Sequence, residues 1–480
     1  MDNNKLKTPI FMQALIDAGA DIYEVGGPVR DALIGRESKD HDLLCRKLPA
    51  RKIISILKPY GRITMVGKSF GVIKFDPQNS PDTHYDIALP RREISTGTGH
   101  RDFDVDFDHE MPVEEDLGRR DFTINAMAMS IPNGNIIDPF GGRNDLNKKM
   151  LRMVFNRAFM EDPLRLIRAV QFAARFGLTI EKETWNAMRE NAHLIDSVSP
   201  ERISIELAKL MTAPKPSVGF DLMHECGLLA RLLPELEQVR GISQDKMPGD
   251  DVYGHTMRVL DAARNDKHLV NAGDLDLLFA ALLHDIGKAR TSRRHPTEEK
   301  TVFFGHQLAS ARLAKRWMKR IKIEVTGVDI PSVLRLIENH MFDTKSYFTD
   351  RAIRRFIAKI GPELIYKLTD LRLSDNRGGK HPNGINGVLK LRKRIEEEMA
   401  KKPPFGPKDL AINGHDIISL GMPEGPMIGR ILQAIVEHVL DKPQDNNRDK
   451  LLALVNEISE NPSLADKLIA QGKERSDDLI

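Results

Sequence analysis

The chain has 480 residues, of which 41% are hydrophobic and 29% charged, and its formal net charge is only +3. That length exceeds what one hydrophobic core organises and predicts roughly three or four domains, while the near-balanced charge excludes a uniformly cationic surface, so a nucleic-acid partner would need a local basic patch. The two cysteines, Cys45 and Cys226, stand far apart without metal-ligand spacing, and no stretch approaches about 18 uninterrupted apolar residues; a disulfide scaffold, a signal peptide and a membrane span are not expected, and a reducing cytoplasm is.

Residues 1–150 mix strand and helix signals: 22–25, 42–45, 71–75 and 84–89 read as short strands and 136–138 as a further one. From about Met153 the pattern is almost wholly helical, with breaks at 197–200 and 213–217, a polar linker at 241–253 and a second break at 401–408. The fold class expected is therefore α+β, a small mixed-sheet head followed by an all-α body.

In the head, the stretch EVGGPVRDALIGRESKDHDLLCR (24–46) places Gly26 and Gly27 after an apolar strand and before Pro28, Val29 and Arg30. Glycines there let backbone N–H groups approach phosphate oxygens, and proline suits a helix start. Asp40 and Asp42 follow at i and i+2. On a strand they share one face, about 6–7 Å apart, where two carboxylates can hold divalent cations that clamp a triphosphate and activate a hydroxyl. Asp86, flanked by apolar residues in HYDIAL (84–89), is the candidate third carboxylate.

Together with EDLGRRDFTINA (115–126), IDPFGG (137–142) and EDPLRLIRA (161–169), these segments resemble the nucleotidyltransferase superfamily that includes DNA polymerase beta. More specifically, they resemble the bacterial tRNA CCA-adding enzymes and poly(A) polymerases of the second class. The resemblance is dense over residues 20–235. It implies addition of CCA to tRNA 3′ ends from CTP and ATP without a nucleic-acid template, with poly(A) synthesis or terminal A addition as alternatives. It also implies that Asp40 and Asp42, with Asp86, bind Mg²⁺, that Gly26, Gly27, Arg30 and Arg120 contact phosphates and sugar, and that Asp121 and Asn125 lie around the ribose.

The run EDPLRLIRAVQFAARFGL (161–178) is apolar nearly all round, which predicts a buried helix. Its exceptions, Arg165, Arg168, Gln171 and Arg175, form one stripe that needs anionic or polar partners. Asp162, just before Pro163, is a candidate helix cap; the resemblance gives it, with Arg165, a second role in reading the base edge. A carboxylate acceptor beside a guanidinium donor matches cytosine and adenine, not uracil or guanine. Gln171 departs from the family pattern, where arginine is common.

Further on, the apolar run 275–283 predicts a helix that ends at His284-Asp285 with Gly287 as its stop. His255, His284-Asp285, His306, His340 and Asp375 fall in an order that resembles the HD phosphohydrolase superfamily. Imidazole and carboxylate ligands suit Mn, Fe, Ni or Mg, and the absence of a thiol argues against structural zinc. The resemblance implies a phosphatase or 2′,3′-cyclic phosphodiesterase, and an alternative in which this hydrolase is the main activity. Basic runs RLAKRWMKRIK (312–322) and KLRKR (390–394) offer surfaces for a tRNA backbone, and residues 403–432 resemble the C-terminal tRNA-binding region of some relatives. The expected domains are a nucleotidyltransferase head (1–150), a base-reading neck (151–240), an HD domain (241–400) and an RNA-binding tail (401–480). No obligate protein partner is evident.

Overall fold

The computed structural model describes residues 8–37, 41–66, 71–80, 83–95, 103–244, 250–295, 297, 301–344, 348–379 and 384–476. Asp40 therefore lies outside the described residues. The chain divides into two units, Met1–Ala213 with Val218–Leu232, and Pro214–Ser217 with Leu233–Ile480.

The first unit opens with α1 (Ile10–Asp17), β1 (Asp21–Val25), α2 (Gly27–Leu33), β2 (His41–Arg46), α3 (Ala50–Leu57), β3 (Gly61–Val66), β4 (Val72–Pro77) and β5 (Tyr85–Ala88). It continues with β6 (Arg91–Ser95), β7 (Phe103–Phe107), α4 (Val113–Gly118), β8 (Ala128–Ile131) and β9 (Ile136–Ile137). Seven strands form one sheet in the order β3-β4-β5-β2-β1-β8-β9, with β6 and β7 as a separate antiparallel ribbon. Within this sheet, among the described residues, only β2 and β5 pair in parallel, which makes it mixed.

Period-two alternation sends the strands' apolar residues to two faces. Ile22, Leu43, Cys45, Phe75 and Ile87 pack with Phe11, Met12 and Leu15 of α1 and Ile53 and Leu57 of α3. Val25, Leu44 and Ala128 pack on the other face with Val113 and Leu117 of α4. The five strands read from the sequence are present with shifted ends; β3, β6, β7 and β8 were not anticipated. β3 is an edge strand in which polar Arg62 and Thr64 alternate with Ile63 and Met65.

The same unit then runs through α5 (Gly142–Asn147), β10 (Met150–Leu151), α6 (Ala158–Glu161), α7 (Leu164–Phe176), β11 (Thr179–Ile180), α8 (Lys182–Asn191) and α9 (Pro200–Met211). As anticipated, α7 is buried around most of its circumference, and it stops at Gly177, whose φ of 63° is left-handed. Helices α10 (Pro216–Glu225), whose first two residues belong to the second unit, and α11 (Leu228–Leu232) follow, and α12 (Pro234–Glu237) lies in the second unit.

The second unit is built from α13 (Val252–Asn265), α14 (Leu275–Leu283), α15 (Lys288–Thr291), the two-residue strands β12 (Arg293–Arg294) and β13 (Thr301–Val302), α16 (His306–Ile321), α17 (Ile330–Asn339), α18 (Asp350–Ile360), α19 (Ile365–Gly378) and α20 (Asn386–Ala400). Helices α21 (Gly414–Ser419), α22 (Pro426–Asp441), α23 (Arg448–Glu460) and α24 (Ser463–Ser476) close the chain around a core that includes Ile417, Ile435, Val439, Leu451 and Val455. Among the described residues no helix is long and apolar enough to cross a membrane.

Candidate active site and metal centre

The parallel pairing of β2 with β5 sets Asp42 opposite Asp86 in register. Leu44 and Ala88, two residues on, belong to the cluster under α4, so both aspartates stand on that face of adjacent strands about 4.8 Å apart. Asp86 is 43% exposed and its lysine partner, Lys74, is 4.0 Å away.

Beside them β1 ends and the chain turns into α2 through Gly26, at φ 75°. A Cβ on Gly26 would lie 2.6 Å from Arg120 Nη1, so glycine is required by both the turn and the packing. Arg120 itself is half-buried, its side chain 23% exposed. Burial pulls its guanidinium below the ordinary value, Asp116 opposes that shift, and its Nε–H has no acceptor. Such a donor is a natural seat for an anion.

From Arg30 a chain of polar contacts runs round the same cavity. Arg30 Nη1 donates to Asn125 Oδ1 at 2.6 Å, and Asn125 Nδ2 donates to Asp121 Oδ1 at 3.0 Å. Arg168 grips Asp121 Oδ2 with Nε at 2.8 Å and Nη2 at 2.6 Å, and reaches Glu206 at 3.5 Å. Burial acts to raise the Asp121 carboxyl, but Arg168 and the bond from Asn125 outweigh it, so the group is held below the usual carboxylate range. Arg30 also lies 4.4 Å over the Phe176 ring.

Asp162, expected to cap the helix, precedes the N-cap position, which is Pro163; its side chain accepts from Leu164 N at 3.2 Å and from Arg202 Nη2 at 2.9 Å. Arg165 donates to Arg119 O at 2.7 Å and to Ala158 O at 3.2 Å. Both side chains nonetheless line the cavity. Gln171 accepts from Arg175 Nη1 at 3.1 Å.

All nine anticipated nucleotide contacts, Gly26, Gly27, Arg30, Arg120, Asp121, Asn125, Asp162, Arg165 and Arg168, line one cavity of about 580 Å³ together with Asp42. Eight basic side chains, including the unanticipated Arg91, Arg119 and Lys209, face five acidic ones there. That excess suits a polyanion. Asp86 is outside the lining set and joins it through the register with Asp42. Glu206, on α9 at 3% exposure, was also missed; a glutamate in the apolar stripe Ile203, Leu207, Leu210 was the available signal.

The second constellation lies in the second unit. His255 sits on α13, His284 and Asp285 follow α14, His306 opens α16, His340 caps α17 and Asp375 is on α19; all six are buried. Every histidine donates Nδ1–H to a carbonyl: His255 to Gly378 at 3.0 Å, His284 to Ala281 at 2.8 Å, His306 to Phe303 at 2.8 Å and His340 to Ile337 at 2.7 Å. The four Nε2 lone pairs therefore point inward. His255 Nε2 is 3.0 Å from Asp375, His284 and His306 Nε2 are 3.2 and 3.3 Å from Asp285, and His306 and His340 Nε2 are 3.3 Å apart. Lone pairs and carboxylates facing one another at these distances repel unless a cation sits among them, so the donor set fits a divalent metal. Burial pushes the His340 imidazole down to about 3, keeping it neutral as a ligand must be.

Lys288, missed in the sequence although it is three residues after Asp285, donates to Asp285 Oδ2 at 2.6 Å and to Gln244 Oε1 at 3.0 Å. Gly287 is not a left-handed helix stop, since its φ is −70°. Its Cβ would meet Ser310 N at 2.4 Å and His306 O at 2.5 Å, so glycine lets α16 approach the Asp285 turn.

Comparison with known proteins agrees with this geometry. Residues 22–152 match the model of the Poly A polymerase head domain and residues 252–401 that of the HD domain. The Multifunctional CCA protein of Acidovorax sp. (strain JS42) is 38% identical over 322 residues, covering 65% of this chain and 71% of that protein. That of Cupriavidus taiwanensis is 37% identical over 331 residues, covering 67% and 75%. The chain belongs to the family of multifunctional CCA proteins. Among solved structures, the Bacillus stearothermophilus CCA-adding enzyme in complex with CTP is 26% identical, with TM-score 0.65 over 94% of this chain and 97% of that one. The Thermotoga maritima CCA-adding enzyme complexed with tRNA, 19% identical with TM-score 0.54 over 96% and 94%, shares the fold. The head match of this CCA family spans Asp42, Asp86 and Asp121, and the HD match spans all six residues of the second constellation.

Proposed function

We propose that this chain is a CCA-adding tRNA nucleotidyltransferase, using CTP and ATP, with an HD-type phosphohydrolase centre in its second unit, and that it works in the cytoplasm. The observation that carries the reading is the pair Asp42 and Asp86, in register beside a cavity lined by an excess of arginines. Family membership favours CCA addition over poly(A) synthesis or terminal A addition, and the intact head favours it over a purely hydrolytic protein. The neighbour solved with CTP supports CTP as one substrate.

In this reading Asp42, Asp86 and Asp40 would hold Mg²⁺, an all-oxygen set suited to a hard cation. Bound there, the metal supplies charge for the triphosphate and lowers the pKa of the attacking hydroxyl. The tRNA 3′-hydroxyl attacks the α-phosphate, the new phosphodiester forms, and pyrophosphate leaves. Arg120, with its unpaired Nε–H, and the Gly26–Gly27 backbone bind phosphates. The Arg30–Asn125–Asp121–Arg168 chain orients the ribose. Asp162 presents an acceptor and Arg165 a donor to the base edge, which cytosine and adenine satisfy alike. His255, His284, Asp285, His306, His340 and Asp375 would hold Mn, Ni, Fe or Mg for phosphoester hydrolysis.

We assign residues 1–150 to the head, 151–240 to the neck, 241–400 to the HD domain and 401–480 to an RNA-binding tail. The test is Asp42→Asn and Asp86→Asn in the full chain. Nucleotide incorporation should fall by roughly a thousandfold or more with an unchanged melting curve. Near-wild-type incorporation in either variant contradicts the site.

A further inference from the structure

Helix α16 buries Ala309, Leu313, Ala314 and Trp317 and turns Arg312, Lys315, Arg316 and Lys319 to solvent. None of these four is in an ion pair with a described residue, whereas the next cation, Arg320, is taken by Glu235 at 3.1 Å. They recur once per turn, about every 5.4 Å. The same helix begins with His306, and two residues earlier Phe304 is 78% exposed while lining the cavity of about 740 Å³ that holds Asp285, His306 and His340. Arg372 lines that cavity too; its Nη1 donates to Asp375 at 3.0 Å and its buried Nε–H has no acceptor.

We propose that the outer face of α16 and Phe304 form a docking track for single-stranded RNA, whose 3′-terminal nucleotide enters the cavity of the HD centre. The unpaired cations follow the phosphates, the Phe304 ring stacks on the terminal base, and Arg372 meets the terminal phosphate. An acidic peptide would satisfy the cations but leaves no use for a bare aromatic ring on a cavity rich in phosphate-handling groups; a nucleobase has a face for it. The proposal rests on the HD centre being a phosphoester hydrolase, as proposed above.

The experiment uses the full chain with added Mn²⁺ and two probes, p-nitrophenyl phosphate and a single-stranded RNA 3′-phosphate. Its variants are K315E/R316E/K319E and F304A. Wild type should hydrolyse both probes. In the triple variant kcat/KM for the RNA should fall at least tenfold and its log–log salt slope should shrink by about 2, from about 0.7 per lost phosphate contact. Hydrolysis of p-nitrophenyl phosphate should stay within twofold. F304A should raise KM for the RNA by about tenfold. Unchanged RNA hydrolysis in the triple variant overturns the track, as does a wild type that hydrolyses only the small ester. A wild type inactive on both probes overturns the hydrolase reading itself and the track with it.

Discussion

Arg165→Ala separates base reading from bracing, because the structure gives this side chain both opportunities. Two of its five N–H donors are spent on Arg119 O and Ala158 O, and the guanidinium lies 5.3 Å over Phe155. Truncation strands two carbonyls at a site only 8% exposed, so stability should fall by roughly 2–4 kcal/mol at about 1–2 kcal/mol per lost bond. The remaining donors line the nucleotide cavity beside Asp162. If one of them reads the base, its loss costs roughly 1–3 kcal/mol of discrimination, a factor of about 10–100 between CTP or ATP and UTP or GTP. The assay is kcat/KM for all four nucleotides, with a melting curve on the same preparation. Arg202→Ala is the complement: it frees Asp162 from a half-exposed pair, should cost about 1 kcal/mol or less, and should also loosen base choice. An Arg165→Ala protein that melts early yet keeps the wild-type nucleotide preferences would refute base reading at this pair.

Three other outcomes are expected. His284→Ala with Asp285→Ala should abolish metal-dependent phosphoester hydrolysis while CTP incorporation stays within about threefold, since the two constellations belong to different units; hydrolysis surviving chelation and the double substitution contradicts the ligand set. Gly26→Ala must place a Cβ 2.6 Å from Arg120 Nη1 at φ 75°, so it should lose roughly 1–3 kcal/mol of stability and raise KM for both nucleotides; an unchanged melting point and KM contradict the close approach. Burial pushes the Cys45 and Cys226 thiols up to about 12 and about 11, so at pH 8 both are protonated and should resist iodoacetamide until denaturant is added. Rapid native labelling of either, followed by mass spectrometry, contradicts that.

Much of the nucleotide cavity was legible because its residues violate the pattern of the element that carries them. Asp42 and Asp86 interrupt apolar strands, and Arg165, Arg168 and Gln171 interrupt a helix that is otherwise buried all round. Glu206 carries the same kind of signal on α9 but is a single residue, and its meaning depends on Arg168 and Lys209 reaching it. The pairing of Asp42 with Asp86 depends on strand order, since β3 and β4 intervene in sequence and a parallel register cannot be read from either strand alone. In the second unit the histidines were visible as types in order. Their inward Nε2 atoms were not, because that orientation comes from four carbonyls, at Gly378, Ala281, Phe303 and Ile337. Gly287 shows the opposite error: a glycine after a helix reads as a stop, whereas here it serves a helix contact formed with residues about twenty positions later.

The central claim is tested most directly on a tRNA transcript lacking its 3′ CCA, incubated with the full chain, Mg²⁺ and nucleotides singly or together. CTP alone should be added twice, ATP alone not at all, and the two together should give C, C and A and then stop. Asp42→Asn, run alongside, should leave the transcript unextended. A ladder of A residues from ATP alone, or extension only of transcripts that already end in CC, would contradict the account.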